Sequence, residues 1–92
     1  MTRRRRTITL STDIGSAYAA QMKAAILAVD PRLSILDLAH DLPAFGIVEA
    51  SFVVREMVDR FPPGMIHVAI VDPGVGAERA PIALRCRDGS WF

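Results

Sequence analysis

Cysteine is almost missing from this chain: Cys86 stands alone. No disulfide can close within it, and no Cys-x-x-Cys zinc or redox motif exists. A single thiol fits a reducing compartment, and Cys86 itself reads as a small strand residue. Aromatic residues are few, at 7%, and none is interleaved with basic residues as on single-strand nucleic-acid platforms. No apolar run approaches the ~20 residues of a membrane helix. The apolar segment after Arg3-Arg4-Arg5-Arg6 breaks at Ser11-Thr12-Asp13, which does not read as a signal peptide. No Gly-Lys-Ser/Thr is present, which excludes a P-loop. Gly74-Val75-Gly76 lacks a third glycine, and Arg79-Ala80-Pro81 opposes a following helix, so the dinucleotide fingerprint fails too.

What is present is apolar residue, 51% of 92 positions, ample for one small core. A domain of this size buries only about 60–65% of the surface its unfolded chain exposes. The net charge of +1 conceals an asymmetry. Four of the eleven basic residues are Arg3 to Arg6, leaving seven against ten acidic ones in the rest of the chain. Residues 1–6 read as a basic, solvated, disordered tail, and an acidic body speaks against nucleic acid as a partner.

The body begins with Thr7-Ile8-Thr9-Leu10, a β-prone run ending in Ser11-Thr12-Asp13-Ile14-Gly15. Ser16 is placed to N-cap a helix running to about Val29, with Met22, Ala25, Ile26 and Val29 as its buried stripe. Tyr18 falls in its first turn. Pro31 stops the helix and makes Asp30 the boundary. A second strand follows over 33–38, then a loop rich in special residues, Ala39-His40-Asp41-Leu42-Pro43-Ala44-Phe45-Gly46. The next helix spans 47–60, with Ile47, Ala50, Ser51, Val54, Met57, Val58 and Phe61 facing inward. After Pro62-Pro63-Gly64 comes an apolar run, Ile66-His67-Val68-Ala69-Ile70-Val71, which reads as a strand buried on both faces. Within it His67 reads as a buried structural histidine. Segments 80–86 and 90–92 form two further strands joined at Arg87-Asp88-Gly89, a hairpin signal.

The β-α-β-α-β order implies right-handed crossovers and parallel strands. The expected fold is α/β and three-layered, with a mostly parallel sheet carrying helices and a β-hairpin at the end. Because the sequence stops on Trp91-Phe92 within a strand, 7–92 is expected to be a partial α/β domain, incomplete at its C-terminus.

Two carboxylates are placed for chemistry. Asp13 and Asp72 each follow a strand running the same way, so both should lie at one sheet edge, where open α/β sheets bind ligands. Asp72 opens the loop Asp72-Pro73-Gly74-Val75-Gly76, whose glycines permit close backbone approach, and Arg79 follows seven residues later. Local pattern alone does not choose between this site and a turn acid paired with a surface arginine. His40-Asp41 lacks further ligands at metal-binding spacing, so no metal site is expected.

Three motifs in order resemble one family. Thr12-Asp13-Ile14-Gly15 with Tyr18 and Met22-Lys23 is similar to its opening motif. Leu36-Asp37-Leu38-Ala39-His40-Asp41-Leu42-Pro43 with Phe45 and Glu49-Ala50 is similar to its second. Pro62-Pro63-Gly64, then Val71-Asp72-Pro73-Gly74-Val75-Gly76 and Arg79, is similar to its third. Together they resemble the N-terminal part of the S-adenosylmethionine hydrolases (adenosine-forming), also called S-adenosylmethionine hydroxide adenosyltransferases and related to the fluorinating and chlorinating enzymes.

The resemblance implies that Asp13 binds the ribose hydroxyls of S-adenosylmethionine and that Phe45 lines the nucleoside pocket. It implies that Asp72 and Arg79 position the attacking water, together with a histidine on a segment beyond Phe92. Asp72 stands where halogenating members carry a different residue, which sides this chain with the water-users. His40 matches the second-motif histidine, with a loop-ordering role. The opening loop at 15–18 looks shorter than in halogenating members. The family further implies a cytoplasmic enzyme, without cofactor, working as a homotrimer. Its C-terminal β-barrel-like domain, absent here, contacts the methionine end of the substrate. On this reading the reaction is hydrolysis to adenosine and L-methionine, by in-line attack of an oriented water on the 5′-carbon, and the piece alone is expected to be inactive. The rival is a non-catalytic module that holds a nucleoside through Asp13 and Phe45.

Overall fold

The computed structural model describes residues 6–43, 46–71 and 80–92. Its centre is β1 (Thr7–Thr12), flanked on one side by β2 (Ser34–Ala39) and on the other by β3 (Ile66–Ile70). All pairings are parallel and the strand order is β2-β1-β3. From Ile8 to Thr12 every residue of β1 is buried. The run was expected to end at Leu10, but Ser11 and Thr12 pair with Ala69 and Ile70 of β3. Backbone pairing with a neighbour carries a strand past the point where side-chain propensity fades.

The chain moves from β1 to β2 through α1 (Ser16–Val29) and returns past β1 to β3 through α2 (Ile47–Val58). Right-handed crossovers in opposite directions put the two helices on opposite faces. Side chains bear this out. Leu10, Thr12, Asp37, Val68 and Ile70 share one face by register, and Lys23 of α1 reaches Asp37 there. On the other face Ala50, Val54 and Val58 of α2 line a common groove with Ala69 and Val71. The result is the expected three-layer α/β arrangement.

Several local expectations need correction. Ser16 is the first helical residue rather than the cap; Gly15 takes that place, at φ +82° and ψ 163° and without a side-chain cap bond. That backbone region is essentially open to glycine alone. The buried side of α1 is Ala19, with Met22, Lys23 and Ile26 half-buried, whereas Ala25 is exposed and Val29 is 86% exposed. Apolar residues run nearly all round this helix, so periodicity alone did not locate the stripe. Asp30 is the boundary, in extended conformation, as Pro31 requires.

In α2, Ala50 is buried and Val54, Met57 and Val58 are half-buried, but Ile47 and Ser51 are exposed. The helix ends at Val58 rather than 60, and Arg60 and Phe61 form tighter bonds to Met57 and Val58 carbonyls. β3 is not buried throughout: on one face His67 is buried but Ala69 is exposed, and on the other Ile66, Val68 and Ile70 are only half-buried. Among the described residues β3 is an outer strand, its far side met only by Trp91.

The hairpin at the end of the chain forms in reduced length. Leu84 and Phe92 exchange backbone hydrogen bonds at 2.6 and 2.8 Å, and Cys86 N–H donates to Ser90 O at 2.8 Å. Arg85 and Trp91 make an antiparallel bridge, with Gly89 at φ +88° in the turn. Neither arm extends beyond these few pairings. The second arm instead docks on β3: Trp91 N–H donates to Met65 O, and His67 N–H to Trp91 O.

His67 is buried, 4% exposed, between the rings of Phe61 and Phe92 at 6.2 and 5.0 Å. Its Nδ1 lies 2.7 Å from Thr9 Oγ1, its partner across β1. Burial lowers its pKa below the ordinary 6.5, against a smaller opposing pull from Asp88. A depressed histidine pKa means that the unfolded chain takes up a proton before the folded one does. Stability is therefore level above the unfolded value and falls as pH drops below it. Urea unfolding between about pH 8 and pH 5 should show this loss. His67→Asn, which keeps a polar group near Nδ1, should flatten it; an equal slope in the variant would assign the loss elsewhere.

Candidate functional site

The site is built at the C-terminal edge of the sheet, where three chain segments leave their strands. Asp13 is the first residue past β1, and its N–H donates to Ile70 O at 3.2 Å, so it sits between the ends of β1 and β3. Its side chain is half-buried and has no hydrogen bond or ion pair to another described residue. A half-buried carboxylate whose oxygens no other described residue engages offers two acceptors to a ligand. Tyr18, in the first turn of α1, is 63% exposed.

The exit loop of β2 is laced to the turn after β1. Gly15 N–H donates to His40 O at 2.9 Å, and Leu42 N–H to Thr12 O at 3.1 Å. Thr12 Oγ1 and His40 Nδ1 are 2.9 Å apart, and Ile14 N–H approaches Thr12 Oγ1 at 3.4 Å. On its other side, His40 Nε2 meets Asp37 Oδ1 at 2.7 Å, while Lys23 Nζ donates to Asp37 Oδ2. The hydrogen bond from Lys23, and after it the one from His40, hold the Asp37 carboxyl below the usual carboxylate range. His40 thus orders the loop.

Lys23, Asp37 and Thr12 fall within the sequence motifs, but nothing in the sequence alone gives them a role. One signal was available: Asp37 is the one charged residue in a mostly apolar strand, three residues before a histidine. Its pairing with Lys23, fourteen residues away on a helix, has no local signature. Phe45, Asp72 and Arg79 lie outside the described residues; what the structure places at this edge is Asp13 and the segment through Val71. Among the described residues no group of three or more His, Cys, Asp or Glu side chains converges as a metal site would. No described helix is long and apolar enough to cross a membrane.

Comparison with known proteins places this geometry. Residues 8–92 match the family described as the SAM hydroxide adenosyltransferase N-terminal domain. The chain is 35% identical over 91 residues to the (R)-S-adenosyl-L-methionine hydrolase of Methanocaldococcus jannaschii, covering 92% of this chain and 34% of that protein. It is 27% identical over 89 residues to a fluorinase of Nocardia brasiliensis, covering 95% and 30%. A solved structure of an uncharacterized conserved protein from Thermotoga maritima superposes with a TM-score of 0.85 at 32% identity, over 92% of this chain and 33% of that one. The chain spans about a third of the length of these relatives. With a match over nearly its whole length and the sheet edge built as described, the chain belongs to the S-adenosylmethionine hydroxide adenosyltransferase family, matching that family's N-terminal domain.

Proposed function

We propose that this chain supplies the nucleoside-binding and water-positioning part of an enzyme that hydrolyses S-adenosylmethionine to adenosine and L-methionine. The observation that carries the reading is the placement of Asp13: half-buried at the end of a central strand buried from Ile8 to Thr12, with its carboxylate unengaged by described residues. Two acceptor oxygens suit a vicinal diol, and charge-assisted hydrogen bonds are the stronger kind. Asp13 accordingly takes the ribose hydroxyls, and Phe45 lies along the nucleoside.

The sulfonium of S-adenosylmethionine already makes the 5′-carbon electrophilic and methionine a good leaving group, so the chemistry calls for no cofactor. The protein's task is to hold one water, or hydroxide, in line behind that carbon. Asp72 accepts a hydrogen bond from that water and so orients it, while the fixed charge of Arg79 favours its hydroxide character. The third positioning group, a histidine, and the domain that holds the methionine end belong to the two-thirds of the relatives' length that this chain does not span. The working assembly is a cytoplasmic homotrimer, with substrate bound between subunits.

The test is release of adenosine and methionine from S-adenosylmethionine by the complete gene product. Asp13→Ala should raise KM roughly 5- to 150-fold, the equivalent of about 1–3 kcal/mol for leaving the ribose hydroxyls without their acceptor. Turnover should change little, because those hydroxyls do not react. Adenosine binding without release would favour the binding-only module; neither binding nor release would sink the reading.

A further inference from the structure

We propose that Asp37, His40 and Thr12 form a positioning relay that holds the turn at residues 12–15, and with it Asp13, in place for the ribose hydroxyls; this rests on Asp13 being the ribose ligand. The relay's direction follows from which groups can donate. Ionised Asp37 only accepts, so His40 Nε2 carries the proton of their 2.7 Å contact. In the tautomer with the proton on Nε2, Nδ1 presents its lone pair to Thr12, whose hydroxyl donates to it across 2.9 Å. With its proton committed, Thr12 Oγ1 turns a lone pair toward Ile14 N–H, spanning Asp13. Lys23 occupies the second Asp37 oxygen and anchors the relay to α1.

The backbone is arranged to make this connection. β2 carries an irregularity opposite Leu10 and Ser11: Leu10 pairs with Asp37 but Ser11 pairs with Ala39, so Leu38 is an extra residue. That insertion brings His40 level with Thr12. The same loop accepts Gly15 N–H at His40 O, and Leu42 returns a bond to Thr12 O. Residues 12, 14 and 15 on either side of Asp13 are therefore each tied, directly or through Thr12 Oγ1, to the loop that His40 orders. An isolated surface ion pair would contribute little; this one ends on the turn that presents a ligand carboxylate.

The test uses the complete gene product in two arms. In steady-state hydrolysis of S-adenosylmethionine, His40→Ala and Thr12→Val should each raise KM roughly tenfold while kcat stays within about threefold. His40→Asn, whose amide reaches near the Nδ1 position, should recover most of the affinity. In ligand-free hydrogen exchange, the amides of Ile14 and Gly15 should exchange faster in His40→Ala. If His40→Ala fails to fold, Thr12→Val, nearly isosteric, carries both arms. Faster exchange with unchanged KM would overturn the positioning role, and unchanged exchange would overturn the relay itself. An unsubstituted protein inert toward S-adenosylmethionine would sink the proposed function instead; exchange at Ile14 and Gly15 would still decide the relay.

Discussion

Asp72→Ala in the complete gene product is expected to lower turnover about a hundredfold with KM for S-adenosylmethionine nearly unchanged. The asymmetry follows from what the carboxylate touches on the proposed reading. Its partner is the attacking water, whose placement matters in the transition state and hardly at all in the ground-state complex. A hundredfold drop corresponds to about 2.7 kcal/mol of transition-state stabilisation, in the range of one strong preorganised interaction. Arg79→Ala should act on kcat in the same way. The double variant should lose less than the two single effects combined, since on the proposed reading both residues orient one water. Near-normal turnover in Asp72→Ala, with only binding impaired, would show that the water is held by another group. The contrast with Asp13, whose replacement should act on KM, separates the two carboxylates by role.

Leu10→Ala is expected to cost about 2–5 kcal/mol of unfolding free energy, the range for truncating a buried leucine. Leu10 is fully buried, at 0% exposure, in the central strand between Asp37 of β2 and Val68 of β3. Its side chain faces the α1 side of the sheet, so its removal leaves a cavity between layers that the paired backbone cannot close. Small domains have about 5–15 kcal/mol in total, so the loss is a large share. Leu10→Met, which conserves volume, should cost under about 1.5 kcal/mol. Urea unfolding monitored by far-ultraviolet circular dichroism of both variants checks this. Equal midpoints for Leu10→Ala and Leu10→Met would show that the site collapses around the truncation.

Much of this molecule was legible one segment at a time. The alternation of β-branched runs with longer apolar helical stretches, punctuated by Pro31, by Pro62-Pro63-Gly64 and by Arg87-Asp88-Gly89, determined the β-α-β-α-β order. These signals are local: a proline ends a helix and a glycine turns a hairpin whatever lies across the sheet. The place of Asp13 at a strand's end, the burial of His67 within an apolar run, and the three motifs that carry the family resemblance were readable for the same reason.

What the tertiary structure decided are contacts between segments distant in sequence. The order β2-β1-β3 makes β1 the central strand and leaves β3 on the outside, so the most apolar strand is not the most buried. A sheet's centre is set by the direction of its crossovers, which no strand encodes in itself. The buried side of α1 likewise depends on how the helix crosses the sheet, because Ala, Ile, Leu and Val surround its axis. The junction of Lys23, Asp37, His40 and Thr12 needs the parallel register of β1 and β2, the extra residue Leu38, and α1 lying over that face. Those three conditions meet only once the chain is folded, and together they join a helix lysine to the turn that presents Asp13.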